Sequence, residues 1–427
     1  MSLLSFLPFL IITSGTYLLI KTKFFFILHP KRTLKFAFSG KNSKKSVVSL
    51  MLALAGTLGV GNIVGVAVGI SIGGAGSVFW LIASALFSSV IKYSEVYLST
   101  LCHSSKGIIG LLERAFGAFG KLIGKTYAAL ALILAFFMGS VFQAEAIRDS
   151  AETVFFARAR LLFIPIIVFT VIICILGKER IKGAVALIIP TAALVYTGMC
   201  LIIILSEIER LAEVISSVMK NAFNFGSISG GVLGFISASG IKEGFARGLL
   251  SNEAGAGTSS FSHTSHRESE KDTASPYDEA SPDEARAAGI FGIIEVFFDT
   301  LFLCPLTAFA VLLGGYDGVG LLSLKEITDI FSRYLGASAP FLLLFSILAF
   351  AISTVLCWYY YGRVSFEHLF GKRLLFVYAT AFFTLFTAGL FGKISQTLFI
   401  IDTTLFLLSL ITLTAVIKES SKLDGCP

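Results

Sequence analysis

Apolar runs follow one another along almost the whole chain, each bounded by a short polar or basic connector. Most are long enough to cross a bilayer, which takes about 20 apolar residues in a helix. About eleven spans are predicted on this basis. They are Leu3–Leu28, Val47–Ile72, Val78–Leu98, Leu122–Ala146, Leu161–Leu176, Ala184–Leu205, an interrupted one within Val232–Ser265, Ala287–Leu313, Ala339–Tyr361, Leu374–Leu390 and Ile394–Ile417. Two polar stretches stand outside this pattern. Glu207–Phe225 is amphipathic and reads as a short external helix; Arg267–Arg286 is acid-rich with two prolines and reads as a solvated cytoplasmic loop.

Two runs are broken by glycine and polar residues at their centres. Gly56-Thr57-Leu58-Gly59-Val60-Gly61-Asn62-Ile63-Val64-Gly65 carries four glycines and an asparagine. Glycine inside a helix costs about 1 kcal/mol relative to alanine, and backbone groups freed in lipid must find partners within the protein. A break of this kind belongs where bare backbone lines a cavity, its N–H groups suited to an anion and its carbonyls to a cation. Arg247–Thr258 packs glycine, serine, asparagine and a carboxylate into a second candidate span. Paired broken helices in corresponding halves point to a secondary transporter; the bland alternative is that the glycines only let helices pack closely. With the first span set aside, one break opens a first set of five spans and the other a second. Five is odd, so the two sets are inverted. The fold class is therefore an all-α polytopic membrane protein with a five-plus-five inverted repeat and one extra N-terminal transmembrane helix. Its divisions are the extra helix (1–28), a basic loop (29–46), the first repeat (47–206), an external segment (207–231), the second repeat (232–417) and a tail (418–427).

Composition agrees. The 427 residues are 55% hydrophobic and 14% charged, with mean hydropathy +0.85, where soluble chains carry about 25% charged residues. The net charge of +7 comes from basic connectors rather than a nucleic-acid surface. Lys31, Arg32, Lys35, Lys41, Lys44 and Lys45 make the densest cluster, which the positive-inside rule puts in the cytoplasm. The N-terminus is then outside, the C-terminus inside, and the protein a multi-pass component of the cell membrane; Arg148, Arg158 and Arg160 run against the rule. The apolar start lacks a basic n-region and a cleavage site, so it reads as a retained span. Six scattered cysteines without a CxxC pair imply neither a disulfide framework nor a zinc site.

These residues resemble the alanine or glycine:cation symporter family, also called sodium:alanine symporters, over nearly the whole chain. The matching blocks are Gly56–Val66, Gly73–Trp80, Gly139–Ala144, Gly244–Gly257 and Phe350–Thr354 followed by Trp358–Gly362. The most specific of them is Gly-x-x-Arg-Gly-x-x-Ser-Asn-Glu-Ala-Gly-x-Gly at Gly244–Gly257. Departures from the family pattern fall at Leu81-Ile82, Gly139-Ser140 and Ala288-Gly289. The resemblance implies a leucine-transporter-like fold and uptake of alanine and glycine driven by sodium.

A small zwitterion needs N–H donors for its carboxylate and oxygens for its ammonium. The candidates are Thr57, Gly59, Gly61 and Asn62 from one break, Ser251, Asn252, Gly255 and Gly257 from the other, and Gln143, a lone amide in an apolar span. Gln143 has an equally plain reading as a helix–helix hydrogen bond. By resemblance, sodium would take the carbonyls of Ala55 and Leu58 with the hydroxyls of Ser353 and Thr354; the plain alternative for that pair is bonding back to the preceding turn. Asp299 lies deepest among the intramembrane acids, where a charge is costly. It can bind a cation, pair with Arg247 or Lys242, or carry a proton. No cofactor is called for beyond sodium as coupling ion. The partners are a small neutral amino acid, sodium and the bilayer, with no nucleic acid. An enzyme is not indicated: His263-Thr264-Ser265-His266 lacks the glutamate of a zinc-protease motif, and no nucleophile elbow occurs. A proton-coupled permease and a channel are the rival transport readings.

Overall fold

The computed structural model describes residues 3–38, 43–102, 106–223, 239–264, 281–316, 320 and 322–423. His266, residues 232–238 of the interrupted run, most of the acid-rich loop (267–280) and the tail from 424 lie outside them. Among the described residues every regular element is helical, as lipid demands of segments that must satisfy their own backbone. In chain order the helices are α1 (Leu7–Lys21), α2 (Phe25–Leu28), α3 (Pro30–Phe38), α4 (Ser43–Thr57), α5 (Val64–Gly73), α6 (Gly76–Leu101) and α7 (Ile108–Ala115). Then follow α8 (Gly120–Phe136), α9 (Phe142–Phe155), α10 (Arg160–Leu176), α11 (Lys178–Ser206), α12 (Leu211–Ala222), α13 (Ser239–Asn252) and α14 (Ser259–His263). The last are α15 (Pro282–Val296), α16 (Cys304–Leu313), α17 (Leu324–Leu335), α18 (Ala339–Phe370), α19 (Leu375–Phe391) and α20 (Thr397–Lys418). Among the described residues, eight stretches are long and apolar enough to cross a membrane, nine with the bent pair α4–α5. One of them, Gly117–Leu176, runs to 60 residues, room for two crossings at about 20 residues each. It holds both the predicted fourth and fifth spans and is divided at Phe156, where φ is +50°.

Several boundaries differ from the sequence expectation. The first span stops at Lys21, not Leu28, because Lys23 and Phe24 turn the chain at positive φ. The basic connector folds into α3. The acid-rich loop ends at Ser281, whose side chain caps α15 with Pro282 in the first turn, so the following span starts five residues before Ala287.

The order of a broken span, a long span and an amphipathic connector occurs twice: α4–α5, α6, α7 and then α13–α14, α15–α16, α17. Each connector docks on the other set's broken span. At the start of α7, Ile108 N–H donates to Ser260 Oγ on α14 at 2.8 Å. Just before α17, Leu322 N–H donates to Ser71 Oγ on α5 at 2.8 Å. The connectors were not anticipated from sequence, although Ser323 and Glu326 form a capping box at the start of α17.

The windows of α6 and α19 are 67% and 28% buried, so α6 is a central helix and α19 a lipid-facing one. Packing of α6 on α13 depends on glycines four apart on one helix face, Gly240, Gly244 and Gly248. A Cβ on Gly244 would stand 2.6 Å from both Ser77 O and Trp80 Cβ. Gly244→Ala is therefore expected to lower the thermal midpoint in detergent, by about 1–3 kcal/mol of stability. Gly198→Ala, in a helix with open space at that position, should leave the midpoint unchanged or raise it. Equal midpoints for Gly244→Ala and the unmodified protein would show that the α6–α13 contact is not tight.

Candidate functional site

The first break arises from residues too small or too polar to continue α4. The chain leaves the helix at Leu58, passes an extended Gly59 (φ −113°, ψ −168°), makes a 3-10 turn over Val60–Asn62 and restarts as α5. The two halves are inclined by 53°. Gly59 is required sterically: a Cβ there would lie 2.7 Å from Thr354 Oγ1 and 3.5 Å from Gln143 Oε1. Thr354 Oγ1 donates to Ala55 O at 3.0 Å. Val60 N–H donates to Gln143 Oε1 at 3.4 Å, and Gln143 Nε2 donates to Met138 O at 3.0 Å. Met138 lies in a π-helical turn, Phe137–Val141, so Gln143 is held from behind by its own span while its carbonyl faces the break.

The second break is built from Glu253, Gly255 and Gly257, at φ +54°, +85° and +78°. All three stand in the left-handed region, which only glycine enters without strain. Apart from a turn that Ala256 N–H closes on Glu253 O at 3.0 Å, its bare backbone is met by buried side chains. Lys92 Nζ donates to Asn252 O at 2.7 Å. Glu95 Oε2 accepts from Gly255 N–H at 2.8 Å and Gly257 N–H at 3.1 Å. Tyr127 OH donates to Ala256 O at 2.6 Å, Trp358 Nε1 to Glu253 Oε1 at 3.2 Å. Asn252 closes the turn on itself, its Oδ1 accepting from Ala254 N–H at 2.9 Å. Lys92 is 3.8 Å from both Glu95 and Glu295, and His263 Nε2 is 2.7 Å from Glu295 Oε1. The amides of Gly255 and Gly257, expected to meet a solute, are thus engaged by a carboxylate of the protein itself.

The two breaks meet. Ser251 Oγ, one residue before the end of α13, lies 2.9 Å from Asn62 Oδ1 and also hydrogen-bonds Asp299 Oδ2. Thr300 Oγ1 donates to the same Asp299 oxygen at 2.8 Å and accepts from Asn252 Nδ2 at 3.0 Å. A serine hydroxyl has one proton to give, so it cannot serve both Asn62 Oδ1 and Asp299 Oδ2. Either the Asn62 amide is turned to present its nitrogen, or Asp299 carries a proton. Asp299 Oδ1 and Asn62 Nδ2 are buried and make no hydrogen bond of full geometry among the described residues, although the Asn62 amide lies close enough to the Asp299 carboxylate to interact with it. Gly61 adds backbone to this junction: a Cβ on it would be 3.7 Å from Leu250 O.

Of the residues expected at the site, Gly59, Gly61, Asn62, Gln143, Ser251, Asn252, Asp299, Ala55 and Thr354 come together. Thr57 turns its hydroxyl to Ala53 O and Leu54 O, 3.3 and 3.4 Å away. Leu58 is buried one residue past α4. Ser353 Oγ bonds back to Ala349 O and Phe350 O, 2.9 Å each, the plain alternative for that residue. Asp299 pairs with neither Arg247 nor Lys242; Arg247 belongs instead to Asp402, at 2.5 Å, and to Glu243, at 3.4 Å. Sequence reasoning missed Lys92 and Glu95, though two charges i,i+3 inside an apolar run were the available signal. A cavity of about 340 Å³ lies alongside α5, past the first break, between Val64, Val68, Phe142, Glu145, Asp149 and Lys393.

The family described as the sodium:alanine symporter family matches residues 1–422. The chain belongs to the sodium:alanine symporter family. An uncharacterized transporter of Haemophilus influenzae is 30% identical over 407 residues, covering 90% of this chain and 84% of that protein. The sodium/alanine symporter AgcS of Methanococcus maripaludis is 27% identical over 391 residues, covering 87% and 82%. Among solved structures, a manganese transporter of Eremococcus coleocola, crystallised with an aromatic bis-isothiourea substituted compound, superposes with a TM-score of 0.51 at 12% identity, over 90% of this chain and 88% of that one. That likeness concerns the fold alone. This sodium:alanine symporter family member is accordingly an integral membrane protein for cation-coupled amino-acid transport, not an enzyme.

In this family member a further ion pair ties both broken spans to the last one. The stem of Arg247 on α13 lies over Gly69 of α5, where a Cβ would be 2.9 Å from Arg247 Cγ, and its guanidinium holds Asp402 of α20. Both side chains are buried, so removing one partner leaves the other uncompensated. Arg247→Met is expected to cost about 3–5 kcal/mol, and Arg247→Met with Asp402→Leu to recover most of that. Thermal denaturation in detergent reads the cycle; additive losses in the double variant would mean the pair carries no coupling.

Proposed function

We propose that this protein imports small neutral amino acids, alanine and glycine, by sodium symport, with access alternating around the two broken spans. The observation that carries the reading is the junction of the breaks. Asn62, Ser251 and Asp299 form a buried polar cluster with atoms that make no hydrogen bond of full geometry, beside non-helical backbone at Gly59 and Gly61. The solute's carboxylate is received at Gly59–Gly61, with Gln143 orienting it, and its ammonium at the oxygens of Asn62, Ser251, Asn252 and Asp299. The small volume left by Gly59 against Thr354 and Gln143 favours a short side chain. Gly255 and Gly257 act indirectly, by holding the second break open around Glu95. Sodium sits at Ala55 O and Thr354 Oγ1, with the Leu58 carbonyl as a further ligand and Ser353 available by rotating out of its own helix. The two sets of five spans move against each other, with the N-terminus outside and the basic connector in the cytoplasm.

The driving force is adequate. One cation crossing about 100 mV contributes about 2.3 kcal/mol, and a tenfold sodium gradient adds about 1.4 kcal/mol. Together they sustain accumulation on the order of several-hundredfold. A second reading, proton coupling through Asp299, draws on the proton balance at Ser251. Replacing sodium by choline at fixed pH separates the two: uptake of labelled alanine into proteoliposomes stops under sodium symport and persists under proton coupling.

Gln143→Ala is expected to raise the alanine KM by about tenfold, the loss of roughly one hydrogen bond to a charged group, with protein levels in the membrane unchanged. Unaltered uptake kinetics would remove Gln143 from the site. Thr354→Ala should raise the half-maximal sodium concentration by at least about tenfold, while alanine KM at saturating sodium changes little. An unchanged sodium dependence would put the cation elsewhere.

A further inference from the structure

On the outside of the bundle, α3 packs on α15 at its C-terminal end, where the rings of Phe38 and Phe291 meet edge to face with centroids 5.4 Å apart, and leaves the surface beside that contact open. Between them and the π-helical turn Phe297–Leu303 runs a groove of about 450 Å³, its walls including Leu34, Phe38, Ile293, Phe297, Phe298 and Leu301. Phe297, Phe298, Leu34 and Phe38 are each exposed by 44–51%, in a protein whose outer surface is met by lipid. The groove is therefore an apolar slot open to the membrane.

Its rim is charged on one side only. Lys31, Arg32 and Lys35 of α3 are all exposed, and among the described residues no carboxylate pairs with any of them. At 3.6 residues per turn, Lys31 and Lys35 lie about 20° and 60° round the helix from Phe38 and border the groove, while Arg32 lies about 120° away and points off it. An amphipathic helix with cations beside its apolar face lies in the plane of the interface, where lysine and arginine stems run along apolar surface and hold their charges at headgroup level.

We infer that this groove is a binding site for an anionic phospholipid, with an acyl chain in the slot and the phosphate at Lys31 and Lys35. Lysine and arginine clusters next to a span attract anionic lipid, each charge contributing a few-fold in affinity; a zwitterionic lipid gains little from them. The back wall gives the site a consequence. Phe297, Phe298 and Leu301 face the slot, while Asp299, Thr300 and Leu303 of the same π-helical turn are buried. The chain of the lipid thus rests against the outer face of the segment that presents Asp299 to Ser251.

The lipid site does not depend on which solute is carried, and its test avoids transport. Phe298→Trp puts a fluorophore in the slot, and Phe297→Trp is a second reporter if the first does not fold. In proteoliposomes, phosphatidylglycerol with brominated chains is expected to quench it in preference to brominated phosphatidylcholine at the same mole fraction. Lys31→Gln and Lys35→Gln should each reduce that preference about fivefold, and Arg32→Gln, on the other side of α3, should reduce it less. Phe376→Trp on α19, an exposed position far along the chain (75% exposed), should be quenched equally by both lipids. Two results would overturn the proposal: equal quenching by the two lipids at Phe298→Trp, or a preference that survives neutralisation of both lysines.

Discussion

Everything in this structure answers to one constraint: inside lipid, a backbone N–H or C=O that leaves a helix must be met by something in the protein. The two breaks meet it in different ways. The second is satisfied by residents. Glu95 takes two amides, Lys92 and Tyr127 take carbonyls, and Trp358 steadies Glu253. Removing such a buried ion would leave its partners stranded, so the network is stiff as a unit. The first break has fewer side-chain partners, Gln143 at Val60 and Thr354 at Ala55, and closes part of its backbone on itself, with Gly59 N–H on Thr57 O at 2.8 Å. The two breaks therefore differ in how they are held: the second is tied by buried side chains from several helices, the first by two side chains and its own turn.

Two π-helical turns aim the side chains between the breaks. A π turn inserts one extra residue into a helix, so the helical segments on its two sides are rotated relative to each other. In the first, Phe137–Val141, it releases Met138 O to Gln143. In the second, Phe297–Leu303, it sends Asp299 and Thr300 inward and Phe297, Phe298 and Leu301 outward. The inward and outward faces of that second turn are only residues apart. Lipid packing on one side and the polar cluster on the other are therefore coupled by geometry, through a segment whose backbone hydrogen bonding is already irregular.

Much of the site was legible because breaks in lipid are chemically conspicuous. Glycines with Asn62, and Ser251-Asn252-Glu253 with more glycines, cannot sit in lipid without a reason, so both stretches stand out in the bare sequence. The family blocks led to Thr354 and Gln143, and both adjoin the first break. What stayed hidden were partners remote in sequence. Glu95 meets Gly255 and Gly257 from 160 and 162 residues away, and Lys92 meets Asn252 across 160. The hydroxyl pair Ser353-Thr354 shows the limit most clearly: adjacent and chemically alike, they differ only in helix face, so one bonds its own turn and the other reaches Ala55.

The amino-acid order alone determined that this chain lives in a membrane, roughly where it crosses, and where its helices must come apart, because hydropathy, glycine content and intramembrane polarity act locally. It also carried the family blocks. Only the tertiary structure decided which donor answers which acceptor: that Arg247 belongs to Asp402 rather than Asp299, that two connectors dock on each other's broken spans, and that two glycine amides are held by Glu95. Those outcomes depend on helix rotation and crossing, set by close contacts such as Gly244 against Ser77 and Trp80, and a rotation of one residue position, about 100°, is enough to exchange a site-facing group for a lipid-facing one.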